Sequence, residues 1–279
     1  MIYFTHGSWD ILHSYDLKKL FELIQSCKEK GDTSFGVGIY DTDLCSQQGL
    51  PPPLKDLDSR MKILSYIKGV DFVFPVTSLD PEILKNSAKA AFIDYQKNKN
   101  TPCLKEEKPF KLGYVPGTHD IFHNGHLENL LYAASQCEKL IVGVKADSLV
   151  EAHKHKRPYA CETERAAILK YFKFVAGVHT YDTRDLRTAI TSISSEYNQP
   201  VDAIFLGSDL ESDFLPKYPD LNLVFTSRNL ENPNAPSTSR LMKKLSLPTS
   251  YPQLTTRKPT SLPSCSSPLN RTSTQEDSR

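Results

Sequence analysis

Apolar positions fall into two blocks separated by a polar break. In the second block, Leu112-Gly113-Tyr114-Val115, Leu140-Ile141-Val142-Gly143-Val144, Ala203-Ile204-Phe205-Leu206 and Leu223-Val224-Phe225 are short apolar runs of strand length. Between them, residues 126–137 carry Leu127, Leu130, Leu131 and Ala134, and residues 164–174 carry Ala167, Ile168, Tyr171 and Phe172. Those spacings set the apolar side chains on one helical face. A last helix is predicted over residues 238–245. Strands that are apolar throughout and alternate with helices predict an α/β fold whose parallel sheet is covered on both faces. In such sheets ligands bind beyond the carboxyl ends of the strands, beside the switch in strand order, so the loop after the first strand of the block is where chemistry is expected.

The break runs through Gln96-Lys97-Asn98-Lys99-Asn100-Thr101-Pro102 and on to Lys108, polar throughout and holding a proline. The first block repeats the second. Gly7-Ser8-Trp9-Asp10-Ile11-Leu12-His13 aligns with Gly117-Thr118-His119-Asp120-Ile121-Phe122-His123 at an offset of 110. Arg60, Ile63, Leu64, Tyr66, Lys68, Val70 and Val73 align with Arg165, Ile168, Leu169, Tyr171, Lys173, Val175 and Val178 at an offset of 105. A tandem duplication is the economical reading. The final stretch changes character: over residues 247–279 more than half of the positions are Ser, Thr or Pro, and no apolar period survives. Such a composition buries too little to offset its ordering entropy and predicts a disordered tail. The expected organisation is a first domain over 1–95, a linker over 96–110, a second domain over 111–246 and the tail over 247–279.

Composition narrows the class. Hydrophobic residues at 39% supply a real core, and 34 basic against 33 acidic residues leave a net charge of +1. That balance lacks the basic field of a dedicated nucleic-acid binder while allowing a local anion pocket. No apolar run approaches the roughly 18 residues of a membrane span, so no stable membrane insertion is expected. Met1-Ile2-Tyr3-Phe4-Thr5-His6 lacks the basic start and long apolar stretch of a signal peptide. Six scattered cysteines without a CxxC pair fit reduced thiols. The expectation is a cytoplasmic protein.

Gly117-Thr118-His119-Asp120-Ile121-Phe122-His123-Asn124-Gly125-His126 stands between a predicted strand and a predicted helix. Gly117 permits a tight turn, and Gly125 removes a side chain where a phosphate would approach the backbone. The helix start offers N–H groups and a positive dipole end. If the helix begins near Asn124, His123 and His126 share its first turn, where imidazole donors could stabilise charge building on a phosphoryl group. Two other readings stay open: zinc ligation, for which no Cys or acidic partners lie nearby, and helix capping.

GTHDIFHNGH resembles the GTFDxxHxGH signature of the HxGH nucleotidyltransferases, above all their cytidylyltransferase branch. Glu164-Arg165 resembles that family's Glu-Arg at a helix start, whose arginine binds phosphate. Gly207-Ser208-Asp209 resembles its Gly-x-Asp after an apolar strand. Ser237-Thr238-Ser239 resembles the Ser-Thr-Thr of its RTxGISTT element. The resemblance covers about residues 111–245 and departs from the pattern at His119, which replaces an aromatic, and at Arg228, which lies too far before Ser237. It implies two tandem Rossmann-like domains. The first is degenerate, because Tyr15 and Asp16 stand where the motif has Gly125 and His126. Two fused copies resemble the ethanolamine-phosphate cytidylyltransferases, which are tandems of such domains.

The implied reaction moves CMP from CTP onto a phosphorylated amino alcohol, with phosphoethanolamine favoured, giving a CDP-alcohol for phospholipid synthesis and pyrophosphate. The implied catalytic residues are His123, His126, Arg165 and Lys154. The implied nucleotide contacts are Gly117, Thr118, Asp120, Gly125, Asp209, Ser237, Thr238 and Ser239. Mg²⁺ is implied as cofactor, held mostly by the nucleotide, with no protein metal site. Asp120 could equally serve only to hold the loop, and Lys154, Lys156, Arg157 and Arg240 could be solvated charges. Alternatives are phosphocholine or glycerol 3-phosphate as acceptor, ATP as donor, or a non-catalytic nucleotide-binding subunit. Partnership stays open between a homodimer and an internal pseudo-dimer.

Overall fold

The computed structural model describes residues 1–31, 33–99, 107–226 and 237–244. The chain divides into two compact units: one holds Met1–Asp10 and the chain from Lys18 through the fourth helix, the other Ile11–Leu17 and the described residues from Glu107 onward.

In the first half the elements are β1 (Ile2–Gly7), α1 (Ser14–Lys28), β2 (Ser34–Tyr40), α2 (Thr42–Gln47), α3 (Leu57–Ser65), β3 (Phe72–Val76) and α4 (Pro81–Lys99). The three strands form a parallel sheet in the order β1-β2-β3. Phe4, Phe72, Phe74 and Val76 pack with Leu84 and Ala88 of α4. Asp41 and Asp56 cap α2 and α3 by accepting the backbone N–H groups of Leu44 and Ser59, each at 2.7 Å. Helix α4 runs on to Lys99, into the segment read as a linker.

The second half holds β4 (Phe110–Gly117), α5 (Asn124–Gln136), β5 (Cys137–Lys145), α6 (Asp147–Lys154), α7 (Glu162–Leu169), β6 (Gly177–Tyr181), α8 (Leu186–Tyr197), β7 (Ala203–Gly207), a 3₁₀ turn at Ser208–Leu210, α9 (Glu211–Phe214), β8 (Leu223–Thr226) and α10 (Thr238–Lys244). Its five strands are all parallel in the order β6-β5-β4-β7-β8, so β4 is central and the order reverses beside it. The expected α/β class and parallel sheets are both present.

Leu112, Tyr114, Ile141, Ile204 and Leu206 of the strands pack with Leu186, Ala189 and Ile193 of α8 and with Tyr218. Helix α5 lies against β4, β5 and β7, burying Leu127, Leu130 and Ala133 at helical spacing. Asp202 fixes the start of β4 by accepting N–H from Lys111 and Leu112 at 2.8 and 2.9 Å.

The helix expected over 164–174 ends at Leu169. The chain there tightens, the N–H groups of Tyr171 and Phe172 donating to the carbonyls of Ile168 and Leu169 at 3.1 and 3.2 Å, and this turns the buried Phe172 into the core. The corresponding turn after α3 has the same bonds, Tyr66 to Ile63 and Ile67 to Leu64. The residues of the expected tail, with Cys265, lie outside the described residues, as do Cys103 and Arg228. Among the described residues no helix is long and apolar enough to cross a membrane.

Candidate functional site

The loop leaving β4 is held at both ends. Gly117 is the last residue of that strand, and a Cβ placed there would stand 2.5 Å from the His119 ring, so glycine lets the imidazole lie over the backbone. His119 itself has φ +53, and Ile121 has φ +43. Left-handed backbone at a β-branched residue is strained and persists only where the surroundings over-determine it.

Asp120 supplies part of that determination. Its buried carboxylate accepts N–H groups from Tyr159 at 2.8 Å, Ala160 at 3.1 Å and Ile121 at 3.1 Å. Burial pushes this carboxyl above the usual range, against the three N–H groups and the Arg165 charge, which favour the ionised form. From the other side, the Thr238 hydroxyl donates to the Asp120 carbonyl at 2.9 Å and ties the start of α10 to the loop.

His123 caps α5, its Nδ1 accepting the Gly125 N–H at 3.1 Å. An accepting Nδ1 puts the proton of the neutral ring on Nε2. The His126 ring stacks on it with centroids 3.9 Å apart and planes 22° from parallel. His119 meets His126 edge-on at 5.3 Å, and Phe122 lies 5.6 Å from it. Three imidazoles thus converge on the first turn of a helix whose dipole end attracts anions.

The other predicted residues are placed less centrally. Arg165 is 1% exposed. Its Nε donates to the Ala160 carbonyl at 2.9 Å, Nη1 to Thr118 at 2.5 Å and Nη2 to Lys145 at 2.8 Å, while Nη2 also pairs with the Asp147 carboxylate. Ser237 immediately precedes α10 and its hydroxyl accepts the Arg240 N–H at 3.3 Å. Ser239 and Arg240 are exposed on that helix, and Asp209 is exposed in the turn after β7. Lys154 is the last residue of α6 and exposed; Lys156 lies just beyond that helix, and Arg157 pairs with Glu151.

Sequence reasoning passed over Lys145. It ends β5 beside the loop, and its ammonium is held below the usual lysine range by burial first and then by the charges of Lys154 and Arg184. Three cations grouped at the carboxyl end of a strand raise the local affinity for an anion. The signal available was positional: a lysine as the last residue of an apolar strand run.

Known proteins bear on this geometry. The chain is 33% identical over 87 residues to the bifunctional protein HldE of Hyphomonas neptunium, a match covering 31% of this chain and 18% of that protein. To HldE of Rhodopseudomonas palustris it is 35% identical over 85 residues, 30% of this chain and 17% of that one. The chain therefore spans less than a fifth of the length of these curated relatives. A crystal structure of the lipopolysaccharide core biosynthesis protein from Thermoplasma volcanium superposes with a TM-score of 0.37 at 23% identity, over 42% of this chain and 97% of that one. Residues 114–266, more than half of the sequence and a range that includes the histidine loop, match the cytidylyltransferase-like family, and the chain belongs to it.

Proposed function

We propose that the second half of the chain carries out nucleotidyl transfer onto a phosphorylated acceptor. Membership of the cytidylyltransferase-like family supports a nucleotidyltransferase that takes a nucleoside triphosphate. In the proposed step an acceptor phosphate oxygen attacks the α-phosphorus, the new P–O bond forms as the bond to the bridging oxygen breaks, and pyrophosphate leaves with that electron pair. The attacking group is already anionic, so the protein's task is placement and charge stabilisation.

The observation that carries the reading is the stacked pair His123 and His126 at the N-terminus of α5 with Gly125 between them. These donors face the charge that builds on the α-phosphoryl oxygens. Gly117 and Thr118 shape the approach, Asp120 holds the loop, and Lys145 and Lys154 supply positive charge for the triphosphate. Ser237, Thr238 and Ser239 stand at the start of α10, where the resemblance puts nucleotide contacts.

Mg²⁺ enters with the triphosphate as part of the substrate. Asp120 is engaged by backbone N–H groups and Asp147 by Arg165. Most of the ion's ligands would then be phosphate oxygens and water.

Donor and acceptor are the finer terms. The Ser-Thr-Ser element and the duplication favour CTP and phosphoethanolamine. The likeness to the bifunctional HldE proteins favours the alternative, an adenylyl group from ATP, and we place that reading first.

The test is pyrophosphate release by the full chain with MgATP or MgCTP, crossed with phosphoethanolamine, phosphocholine, glycerol 3-phosphate and a sugar 1-phosphate. Turnover with ATP and one acceptor, lowered on the order of 10²–10³-fold by His126→Ala, is expected. Turnover with CTP alone restores the phospholipid reading. Triphosphate binding without turnover in every pair overturns the enzyme and leaves a nucleotide-binding regulator.

A further inference from the structure

We propose that Arg165 is a positioning residue that clamps the HxGH loop, and that it does not bind a substrate phosphate as the family resemblance implied. The inference rests on the nucleotidyltransferase reading for its catalytic consequence and on geometry alone for its structural one.

The geometry is the same in both copies of the repeat. In the first copy Arg60 is 1% exposed, and its Nε donates to the Lys55 carbonyl at 3.1 Å while Nη1 donates to Ser8 and Tyr40, each at 2.7 Å. Ser8 aligns with Thr118 at an offset of 110, and Tyr40 and Lys55 align with Lys145 and Ala160 at an offset of 105. Arg60 and Arg165 therefore grip the same three carbonyls: the one after the glycine that ends the first strand, the last residue of the second strand, and the loop before the following helix. The aspartates complete the pattern. Asp10 accepts the N–H groups of Leu54 and Lys55 at 2.8 and 3.0 Å, as Asp120 accepts those of Tyr159 and Ala160.

The first copy lacks the chemistry. Where the second has Gly125 and His126 it has Tyr15 and Asp16, a bulky ring and a negative charge where a phosphate would approach. A guanidinium retained there with the same carbonyl partners is retained for the loop. In the second copy the Asp147 carboxylate at Arg165 also offsets its charge, so little net attraction is left for an anion. A buried guanidinium is tolerable only because its fork meets several fixed acceptors at once. Lysine, with a tetrahedral head, cannot reproduce that planar arrangement. Through Thr118 and Ala160, Arg165 sets both ends of the frame in which His119 and Ile121 adopt their left-handed backbone, and so sets where His123 and His126 stand.

The experiment compares wild type with Arg165→Lys and Arg165→Met, reading amide hydrogen exchange, triphosphate affinity by calorimetry, and kcat and KM for the triphosphate. For a clamp, exchange protection at Tyr159, Ala160 and Ile121 drops about tenfold or more in both variants, because the hydrogen bonds fixing the frame are lost. On the same account kcat falls while KM and the dissociation constant move within about threefold, and lysine gives no rescue. For a phosphate ligand, the dissociation constant rises about tenfold or more in Arg165→Met, lysine restores much of it, and exchange at the three amides is unchanged, which overturns the proposal.

Arg60→Lys is the second arm. It is expected to lower exchange protection at Leu54 and Lys55 by a similar factor, and unchanged protection there also overturns the clamp. Should the Arg165 variants fail to fold, Asp147→Asn decides. A phosphate-binding Arg165 freed of its counter-charge binds triphosphate about tenfold tighter at low salt, whereas a clamp shows no gain. Wild-type protein silent in every pyrophosphate assay removes the nucleotidyltransferase reading but leaves the exchange measurements to decide the clamp.

Discussion

Lys145 shows how one side chain can report on the site. Burial and the charges of Lys154 and Arg184 hold its ammonium below the usual lysine range in the free protein. The unfolded chain then binds the extra proton more readily than the folded one. Folding stability therefore rises with pH from the lowered value up to the ordinary value near about 10.4. A bound triphosphate reverses the balance, since three phosphates beside the cluster favour the charged form and push the pKa back up. In that window binding must take up a proton, and affinity must fall as pH rises. Calorimetric titrations of MgATP stepped through the range below the ordinary lysine value of about 10.4, each in two buffers of different ionisation heat, are expected to show proton uptake that Lys145→Gln abolishes. No uptake in the wild type would remove Lys145 from the anion site. Asp120 differs in kind, because its partners are backbone N–H groups within the fold, so its role is set before any ligand arrives.

At the scale of elements, close backbone approach organises the second sheet around β4 and β5. Tyr114 is fully buried, and a Cβ on Gly143 would lie 2.2 Å from its hydroxyl oxygen and 2.7 Å from the ring. The ring cannot swing away without leaving the packed face, so Gly143→Ala overfills the core. A loss of about 1–3 kcal/mol in urea unfolding is expected, with partial recovery when Tyr114→Phe removes the nearest atom. An alanine variant as stable as wild type would refute this.

The strands most readable from sequence are those buried on both faces, β4, β5 and β7, whose apolar runs have no competing explanation. Strand β6 escaped notice because it lies at the sheet edge and mixes Gly177, His179 and Thr180 among half-buried positions. Helix α8 carries a weak signal although Asp185 caps it and Leu186, Ala189 and Ile193 bury at helical spacing, since most of its remaining positions are Ser, Thr and charged residues. In the site, the motif located the loop and the histidine pair. The destination of the Arg165 guanidinium was not legible, because its partners are backbone carbonyls of three segments that only the fold brings together.

Across the described residues, the two halves share a frame built on Arg60 and Arg165 and differ where chemistry is expected. The second has five strands, with α10 returning to the loop through Thr238, while the described residues of the first form three strands in the order β1-β2-β3. The first copy keeps its frame through Arg60 and Asp10 but has substituted the groups that would meet a phosphate. Trp9 takes the place of His119 with the same left-handed backbone, φ +51, and its indole lies 3.1 Å from where a Gly7 Cβ would stand. Asp16 takes the place of His126, so an approaching polyanion would meet a carboxyl where the second copy offers an imidazole.

One triphosphate site per chain is therefore expected, not two. Calorimetric titration with MgATP or MgCTP should give a stoichiometry of about one, and the replacement Tyr15→Gly together with Asp16→His is the variant most able to raise it, since it restores the open approach and the second imidazole. Two equivalent sites in the wild-type chain would mean that the frame alone, without the histidine pair, suffices to hold a nucleotide. The stacked imidazoles would then act on the transition state only and contribute nothing to ground-state binding.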